Sequence, residues 1–220
     1  MNKFILWFVK LTGWPAQYVY FRKKIYYEDK SIQRRKIKGG ALVVSNHYSV
    51  YDYPLYLYTF FGRSIRPLVA EVIYQKGKFM SQLMKNLGAI RVDRDSYDFS
   101  FMSTMVKCLK DKQVGLVFPE SRIGEENEKI DGMLEFKPSF VYMALEAGVP
   151  IIPVYTNGVY GKDKRKKHDR ARVVIGKPIN LREMYDESKS EKDNINDLCN
   201  YVREYIKSLG NLLERKKREE

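Results

Sequence analysis

At residues 41–52 the sequence reads ALVVSNHYSVYD, a short apolar run followed by a polar turn that contains a histidine and an aspartate. The run 41–45 includes two adjacent valines and is typical of a buried β-strand. Pro54 and the apolar side chains after it predict a helix over 53–61. His47 therefore lies where a strand ends, and open α/β folds bind their ligands at the carboxyl ends of strands.

The spacing of His47 and Asp52 suggests a chemical role for this turn. A carboxylate five residues on can hydrogen-bond one ring nitrogen, which fixes the tautomer and leaves the other nitrogen free as a general base. Asp52 is also well placed to be an ordinary helix N-cap ahead of Pro54. A single loop histidine is more often solvated or structural than catalytic, so catalysis is a hypothesis that needs support from other segments.

From residue 41 onward, strand patterns alternate with helix patterns. The predicted strands are 41–45, 66–71, 89–92, 113–118, 151–155 and 171–175. The predicted helices are 53–61, 75–87, 97–111, 136–147 and 191–216. Alternation at this spacing predicts an α/β fold in which a largely parallel central sheet carries helices on both faces.

Residues 1–30 stand apart from this pattern. Large apolar side chains recur at helical spacing from Phe4 to Ile25, with lysine and arginine between them, and Gly13 and Pro15 should divide the segment into two helices. Such helices suit a membrane interface, but the same apolar face could pack on the body of the protein. We therefore divide the chain into N-terminal amphipathic, membrane-associating helices (1–30) and an α/β domain (31–220).

The composition limits the classes of partner. The 220-residue chain is 44% hydrophobic, so it is globular rather than disordered. Its formal charge of +13 points to an anionic partner: nucleic acid, an anionic membrane surface or a phosphorylated substrate. Cys108 and Cys199 form no metal-binding spacing and favour a reducing compartment. No apolar run approaches the roughly 18 residues that cross a bilayer. The basic stretches 162–172 and 215–218 are either solvated surface or membrane contacts.

Three later segments bear on His47. Residues 88–94 end a predicted strand with two arginines, 117–124 runs from a strand into a turn with a carboxylate and an arginine, and 149–154 is a buried strand with two prolines. If these strands are parallel, the polar side chains after them gather at the edge that carries His47. A base beside arginines suits a substrate with a hydroxyl to activate and a phosphate to bind, because arginine binds phosphate by bidentate hydrogen bonds.

In this order and spacing, the four segments resemble the glycerophospholipid acyltransferases of the lysophosphatidate acyltransferase type. His47 and Asp52 match the family's Asn-His-x-Ser-x-x-Asp motif, and Arg94 falls at the arginine of its second motif. The stretch Phe118-Pro119-Glu120 begins the third motif, and 149–154 matches the fourth. The match extends over residues 35–180.

The resemblance implies roles for individual residues. His47 would be the general base and Asp52 would orient it. The residues implied in substrate binding are Arg94, Glu120, Ser121, Arg122 and Lys137. Ser121 stands where the third motif usually has glycine, and Pro138 follows Lys137 where glycine is usual. A glycine lets backbone approach a phosphate without steric cost, whereas Ser121 adds a hydroxyl and restricts the turn.

The resemblance also implies a reaction and a location. A fatty acyl group would move from a thioester, acyl-coenzyme A or acyl carrier protein, to the free hydroxyl of a lysophospholipid. The expected acceptor is 1-acyl-sn-glycerol-3-phosphate, and the product is phosphatidic acid. No metal and no tightly bound cofactor are implied. The protein would be peripheral or monotopic at the cytoplasmic face of the cell membrane, on an anionic surface, with acyl carrier protein as a further partner.

Other interpretations remain open at this stage. The enzyme could act on another lysophospholipid, or a relative with an altered third motif could dock on membranes without catalysis. The charge and the 17 tyrosines permit a nucleic-acid-binding module, although no recognised nucleic-acid motif is present. A metal site at His47 and Asp52 is disfavoured, because no further cluster of histidines or carboxylates is available to complete it.

Overall fold

A seven-stranded sheet forms the centre of the computed structural model, which describes residues 1–93, 98–128, 132–157 and 170–219. The strands in chain order are β1 (Lys24–Tyr27), β2 (Ala41–Ser45), β3 (Ile65–Ala70), β4 (Ile90–Val92), β5 (Val114–Val117), β6 (Ile151–Thr156) and β7 (Arg172–Ile175). Their spatial order is β1-β7-β6-β2-β5-β3-β4. The strand β2 that precedes His47 therefore lies at the centre of the sheet.

Five neighbouring strands, β6, β2, β5, β3 and β4, run parallel to one another. The strand β7 is antiparallel to β6, and β1 pairs with β7 in parallel, so one edge of the sheet is reversed. Val44 is aligned with Val117 of β5 and with Pro153 of β6, which brings the ends of these three strands to one edge of the sheet. This arrangement confirms the predicted α/β fold with a largely parallel sheet.

The described residues form eight α-helices. They are α1 (Lys3–Thr12), α2 (Trp14–Tyr20), α3 (Asp52–Thr59), α4 (Glu71–Tyr74), α5 (Lys78–Leu87), α6 (Ser100–Lys110), α7 (Ser139–Ala147) and α8 (Glu191–Arg218). Short 3-10 turns cover Glu126–Glu128 and Leu181–Met184. Within the part of the chain that the structure describes, every helix is too short or too polar to cross a bilayer.

Both faces of the sheet are covered by helices. In β2, Leu42 and Val44 face one core, which they share with α6, α7 and α8, while Ala41 and Val43 face a second core shared with α3. All four side chains have no exposed surface. A strand that is buried on both faces needs apolar residues at consecutive positions, which is why this strand reads as a continuous apolar run rather than an alternating one.

Two predicted elements differ from the observed ones. Ile25 belongs to the strand β1 rather than to a helix, so the helical prediction for this residue was wrong. The helix α2 ends at Tyr20, Arg22 adopts a positive φ of 43°, and the chain then pairs with β7. The helix predicted over 75–87 begins later, as α5 at Lys78, because Gly77 has a φ of 119°, which is outside the helical region. The short helix α4 precedes it and was not predicted; its first residue, Glu71, falls in the predicted strand 66–71.

The helix α1 is held to the body of the protein by a buried lysine. The ammonium group of Lys10 donates hydrogen bonds to the carbonyls of Phe61 and Arg63, at 2.7 Å each, and lies over the rings of Trp7 and Phe61. Its side chain has no exposed surface, and this burial lowers the pKa of Lys10 from 10.5 to about 8. A face of large apolar residues remains exposed on α1 and α2: Phe4, Trp7, Phe8, Leu11, Trp14 and Tyr18.

Candidate active site

The turn between β2 and α3 is fixed to its neighbours by buried polar side chains. The amide of Asn46 donates to the carbonyl of Thr156 and accepts from its N–H, both at 2.9 Å, so it joins the ends of β2 and β6. The hydroxyl of Ser45, the last residue of β2, is hydrogen-bonded to the hydroxyl of Tyr56 in α3. Burial, with the nearby Asp52 charge, raises the pKa of Tyr56 well above its usual value, so this tyrosine stays neutral.

His47 and Asp52 form the pair that their spacing predicts. The Nδ1 atom of His47 lies 2.9 Å from Oδ2 of Asp52, which also accepts the backbone N–H groups of Tyr48 and Ser49. Because the ionised carboxylate can only accept, Nδ1 carries the proton and Nε2 has the free lone pair. Asp52 has no exposed surface, while the imidazole is 20% exposed. The pair can therefore act as a general base with an orienting carboxylate.

The N-cap interpretation of Asp52 does not describe this turn. The N-cap position of α3 is Tyr51, and Asp52 is the first residue of the helix. The Asp52 carboxylate accepts N–H groups that precede the helix rather than those of its first turn. Its second oxygen, Oδ1, is buried and has no hydrogen-bond partner within the described residues.

Glu120, in the segment that follows β5, holds the backbone of His47 by a hydrogen bond. One carboxylate oxygen accepts the backbone N–H of His47 at 2.7 Å, and the other accepts the N–H of Leu134 at 2.8 Å. The residue is only 4% exposed. Phe118, two residues earlier, stacks on the imidazole with the ring centroids 4.5 Å apart. The segment that follows β5 therefore contacts both the backbone and the ring of His47.

Ser121 and Arg122, two of the predicted substrate-binding residues, lie in a tight turn at the same edge of the sheet. Ser121 has a φ of 63°, a left-handed conformation that a non-glycine residue rarely adopts. The guanidinium of Arg122 forms a bidentate ion pair with Glu128, at 2.7 and 2.9 Å. Lys137 is exposed, and its backbone N–H donates to the carbonyl of Pro119.

Not every predicted residue contacts the histidine. Arg94 lies outside the described residues; β4, the strand that precedes it, ends at Val92 on the same edge of the sheet as β2 and β5. Among the described side chains, no hydrogen bond or ion pair joins Arg122 or Lys137 to His47 or Asp52. The described residues also contain no group of three or more histidines, cysteines and carboxylates that could hold a metal ion.

Comparison with known proteins identifies the family. Residues 23–157, more than half of the chain, match the family model described as Acyltransferase. This chain belongs to the acyltransferase family. The matched region includes His47, Asp52 and Glu120, so the hydrogen-bonded His47–Asp52 pair and the carboxylate that holds the His47 backbone lie within the part that matches the family.

Two relatives of this acyltransferase are informative. The 1-acyl-sn-glycerol-3-phosphate acyltransferase of Haemophilus influenzae is 26% identical over 182 residues, which cover 81% of this chain and 72% of the relative. The crystal structure of the 1-acyl-sn-glycerophosphate (LPA) acyltransferase PlsC from Thermotoga maritima aligns with a TM-score of 0.67 at 21% identity, over 96% of this chain and 80% of that one. The second likeness establishes a shared fold.

Two features of the acyltransferase site were missed by the sequence reasoning. The stacking of Phe118 on the imidazole and the hydrogen bonds from Glu120 to two backbone N–H groups connect residues that are far apart in the chain. A signal for Glu120 was present, since a carboxylate directly after a buried strand and a proline must find donors when it is buried. The identity of those donors depends on the tertiary fold.

Proposed function

We propose that this acyltransferase transfers a fatty acyl group from a thioester donor to the free hydroxyl of 1-acyl-sn-glycerol-3-phosphate, giving phosphatidic acid. The observation that carries the proposal is the imidazole of His47, which is held by a buried carboxylate through Nδ1 and is partly exposed at the edge of the sheet. The name of the Haemophilus influenzae relative supports the choice of acceptor. The donor is acyl-coenzyme A or an acylated acyl carrier protein.

The mechanism follows from the direction of the His47–Asp52 hydrogen bond. The Nε2 atom of His47 takes the proton from the acceptor hydroxyl, and the oxygen attacks the thioester carbonyl to form a tetrahedral oxyanion. The oxyanion then collapses and the carbon–sulfur bond breaks, and the imidazolium donates its proton to the leaving thiolate. Asp52 stabilises the imidazolium between these two steps. General-base catalysis of this kind contributes about 10²–10⁴-fold to the rate.

The phosphate of the acceptor is bound by arginines at the edge that carries His47. Arg122 and Lys137 are described candidates, and Arg94, which lies outside the described residues, completes the proposed set together with the Ser121 hydroxyl. Arg122 is paired with Glu128 on the surface, where such an ion pair contributes little free energy, so a phosphate can replace the carboxylate. Glu120 is a positioning residue in this proposal, since its carboxylate accepts the backbone N–H of His47.

The apolar face of α1 and α2 docks the enzyme on the cytoplasmic surface of the cell membrane. Phe4 is 78% exposed and Leu11 is 64% exposed, and an exposed patch of large apolar side chains indicates a contact with a membrane or another protein. The formal charge of +13 favours an anionic surface. The proposed substrates are lipids, so this docking brings the enzyme to the phase that contains the acceptor. No nucleic acid takes part in the proposed function.

An acyl-transfer assay with His47→Ala tests the catalytic role. We expect the rate with 1-acyl-sn-glycerol-3-phosphate to fall by about 10²-fold or more, because the general base is removed. His168→Ala removes the other histidine of the chain and should leave the rate unchanged. Unaltered circular dichroism would show that the His47 variant is folded.

The same assay separates the alternatives. A panel of lysophospholipids, each offered with acyl-coenzyme A and with acyl carrier protein donors, identifies the acceptor and the donor. Transfer by the wild type to a different lysophospholipid alone would replace the proposed acceptor, and absence of transfer to every acceptor would indicate a non-catalytic protein. Full activity of His47→Ala would remove the proposed mechanism.

A further inference from the structure

A basic cavity lies away from the candidate active site, beside the first residues of β3 and β4. Its volume is about 370 Å³, and its lining includes Arg66, Lys85 and Arg91. Leu68 and Ile90 are aligned in the sheet, so Arg66 in β3 and Gly88 before β4 both lie toward the amino-terminal ends of these strands. His47 follows the carboxyl end of β2, which is the opposite edge. We refer to this feature as the β3–β4 cavity.

Arg66 has more hydrogen-bond donors than partners. Its Nε atom is buried and has no partner within the described residues, and the one hydrogen bond that its side chain makes there runs from Nη2 to the Sγ atom of Cys108, at 3.5 Å. A guanidinium carries five N–H donors, and a thiol is a weak acceptor. Arg66 is half-buried, and its buried Nε donor is left without an acceptor, which a bound anion would supply.

The charges around the cavity leave a net positive site. Arg91 is ion-paired with Glu71, so this pair contributes little net charge. None of the described residues that line the cavity carries a carboxylate. No carboxylate of the described residues forms an ion pair with Arg66 or Lys85. These two cations are therefore available to a ligand.

Gly88 keeps the cavity open and places it beside α1. Its φ of 83° favours glycine, and a Cβ atom at this position would collide with the guanidinium of Arg66 and with Met1. Met1 also lines the cavity, and α1 begins two residues later. On this helix, Phe4 and Phe8 are 78% and 58% exposed. The cavity therefore lies beside the start of α1, the helix that carries part of the apolar face that we propose lies on the membrane.

We propose that the β3–β4 cavity binds the phosphate of an anionic membrane lipid, as a site separate from the acceptor site beside His47. The inference rests on the proposed membrane docking of α1. Arginine binds phosphate through paired N–H donors, and Lys85 adds a second charge at the mouth. A lipid phosphate in this cavity would fix the orientation of the enzyme on the surface, because α1 lies beside the bound headgroup.

Vesicle binding by the full chain tests this site. Partition onto phosphatidylcholine vesicles with and without phosphatidylglycerol is compared for Arg66→Gln/Lys85→Gln and for the charge-matched control Lys110→Gln/Lys192→Gln. The control lysines are on α6 and α8, away from the cavity lining. We expect the cavity variant to lose about 30-fold in binding to the anionic vesicles, and the control about threefold or less. Binding to phosphatidylcholine alone should not change.

Each other outcome counts against the proposal. Equal losses in both double variants would show a general charge effect, and wild-type binding that ignores phosphatidylglycerol would show that no anionic lipid is selected. If inorganic phosphate raises the melting temperature of the wild type but not of the cavity variant, without selection of phosphatidylglycerol, the ligand is free phosphate. Should Arg66→Gln not fold, Lys85→Gln alone must lose about fivefold. Acyl transfer by the wild type in mixed micelles tests the proposed function independently of this site.

Discussion

Glu120 connects two backbone segments at the candidate active site, and its substitution separates positioning from substrate binding. Glu120→Gln replaces one accepting oxygen with an amide that donates, so either His47 or Leu134 loses its partner. A hydrogen bond to a charged group contributes about 1.5–3 kcal/mol, so we expect kcat to fall about 10–100-fold with KM for the acceptor nearly unchanged. Steady-state kinetics with varied acceptor concentration measures both constants.

The control is Glu187→Gln, an exposed carboxylate outside this loop, which should leave both constants unaltered. Glu120→Asp keeps the charge but shortens the side chain, and we expect it to restore part of kcat relative to Glu120→Gln. A large rise in KM with kcat unchanged would instead assign the Glu120 carboxylate to the substrate.

At the residue scale, short-range contacts could be predicted from the sequence and long-range contacts could not. The His47–Asp52 hydrogen bond is confirmed because both residues belong to one turn. Arg122 and Glu128 are only six residues apart in the chain, but their ion pair depends on how the loop after β5 folds back. Ser121 adopts a left-handed conformation, which costs a non-glycine residue roughly 1–2 kcal/mol, so the glycine that the resemblance implies at this position would suit the turn better.

The stability of the protein should depend on pH through Lys10, which fixes α1 to the segment after α3. Burial gives this lysine a pKa of about 8 in the folded protein, against 10.5 as its ordinary value. The folded state therefore binds fewer protons between these two values, so the free energy of unfolding rises with pH across this window and falls as pH drops through 8. Lys23, whose pKa is lowered to about 7 by burial and then by Arg35, acts in the same direction.

Lys10→Met should remove the part of the pH-dependent rise in the free energy of unfolding that comes from Lys10. We expect the wild type to gain about 2 kcal/mol more than Lys10→Met between pH 7 and pH 10, measured by urea unfolding at each pH. Lys192→Met, on an exposed position of α8, should follow the wild type. Parallel pH curves for the wild type and Lys10→Met would contradict the assignment of the titration to Lys10.

At the element scale, the sequence predicts the strands β2 to β7 and misses β1. β2, β5 and β6 are apolar runs without charge, and their positions are confirmed within one residue or so. β1 reads KIYY, which fits a helix or a strand equally well. Its conformation is decided by pairing with β7, almost 150 residues further on, and no local pattern records that contact.

At the scale of the whole molecule, charge and apolar surface should contribute separately to membrane binding. Phe8→Ser/Leu11→Ser removes two large side chains from the exposed face of α1 without touching the buried Leu6 and Lys10. Each apolar side chain contributes on the order of 1 kcal/mol when an interface covers it, so we expect the partition coefficient to fall about 30-fold. Sedimentation with vesicles measures it.

The effect of this double variant should appear on neutral and anionic vesicles alike, because apolar burial does not depend on the charge of the lipid headgroup. High salt should weaken the remaining binding to anionic vesicles and leave binding to neutral ones almost unchanged, since screening acts only on the formal charge of +13. Ile32→Ser/Met184→Ser changes two exposed apolar residues outside α1 and α2 and should bind like the wild type. If the two double variants lose binding equally, the apolar face of α1 is not the membrane contact, and the enzyme must reach its lipid substrate through another surface.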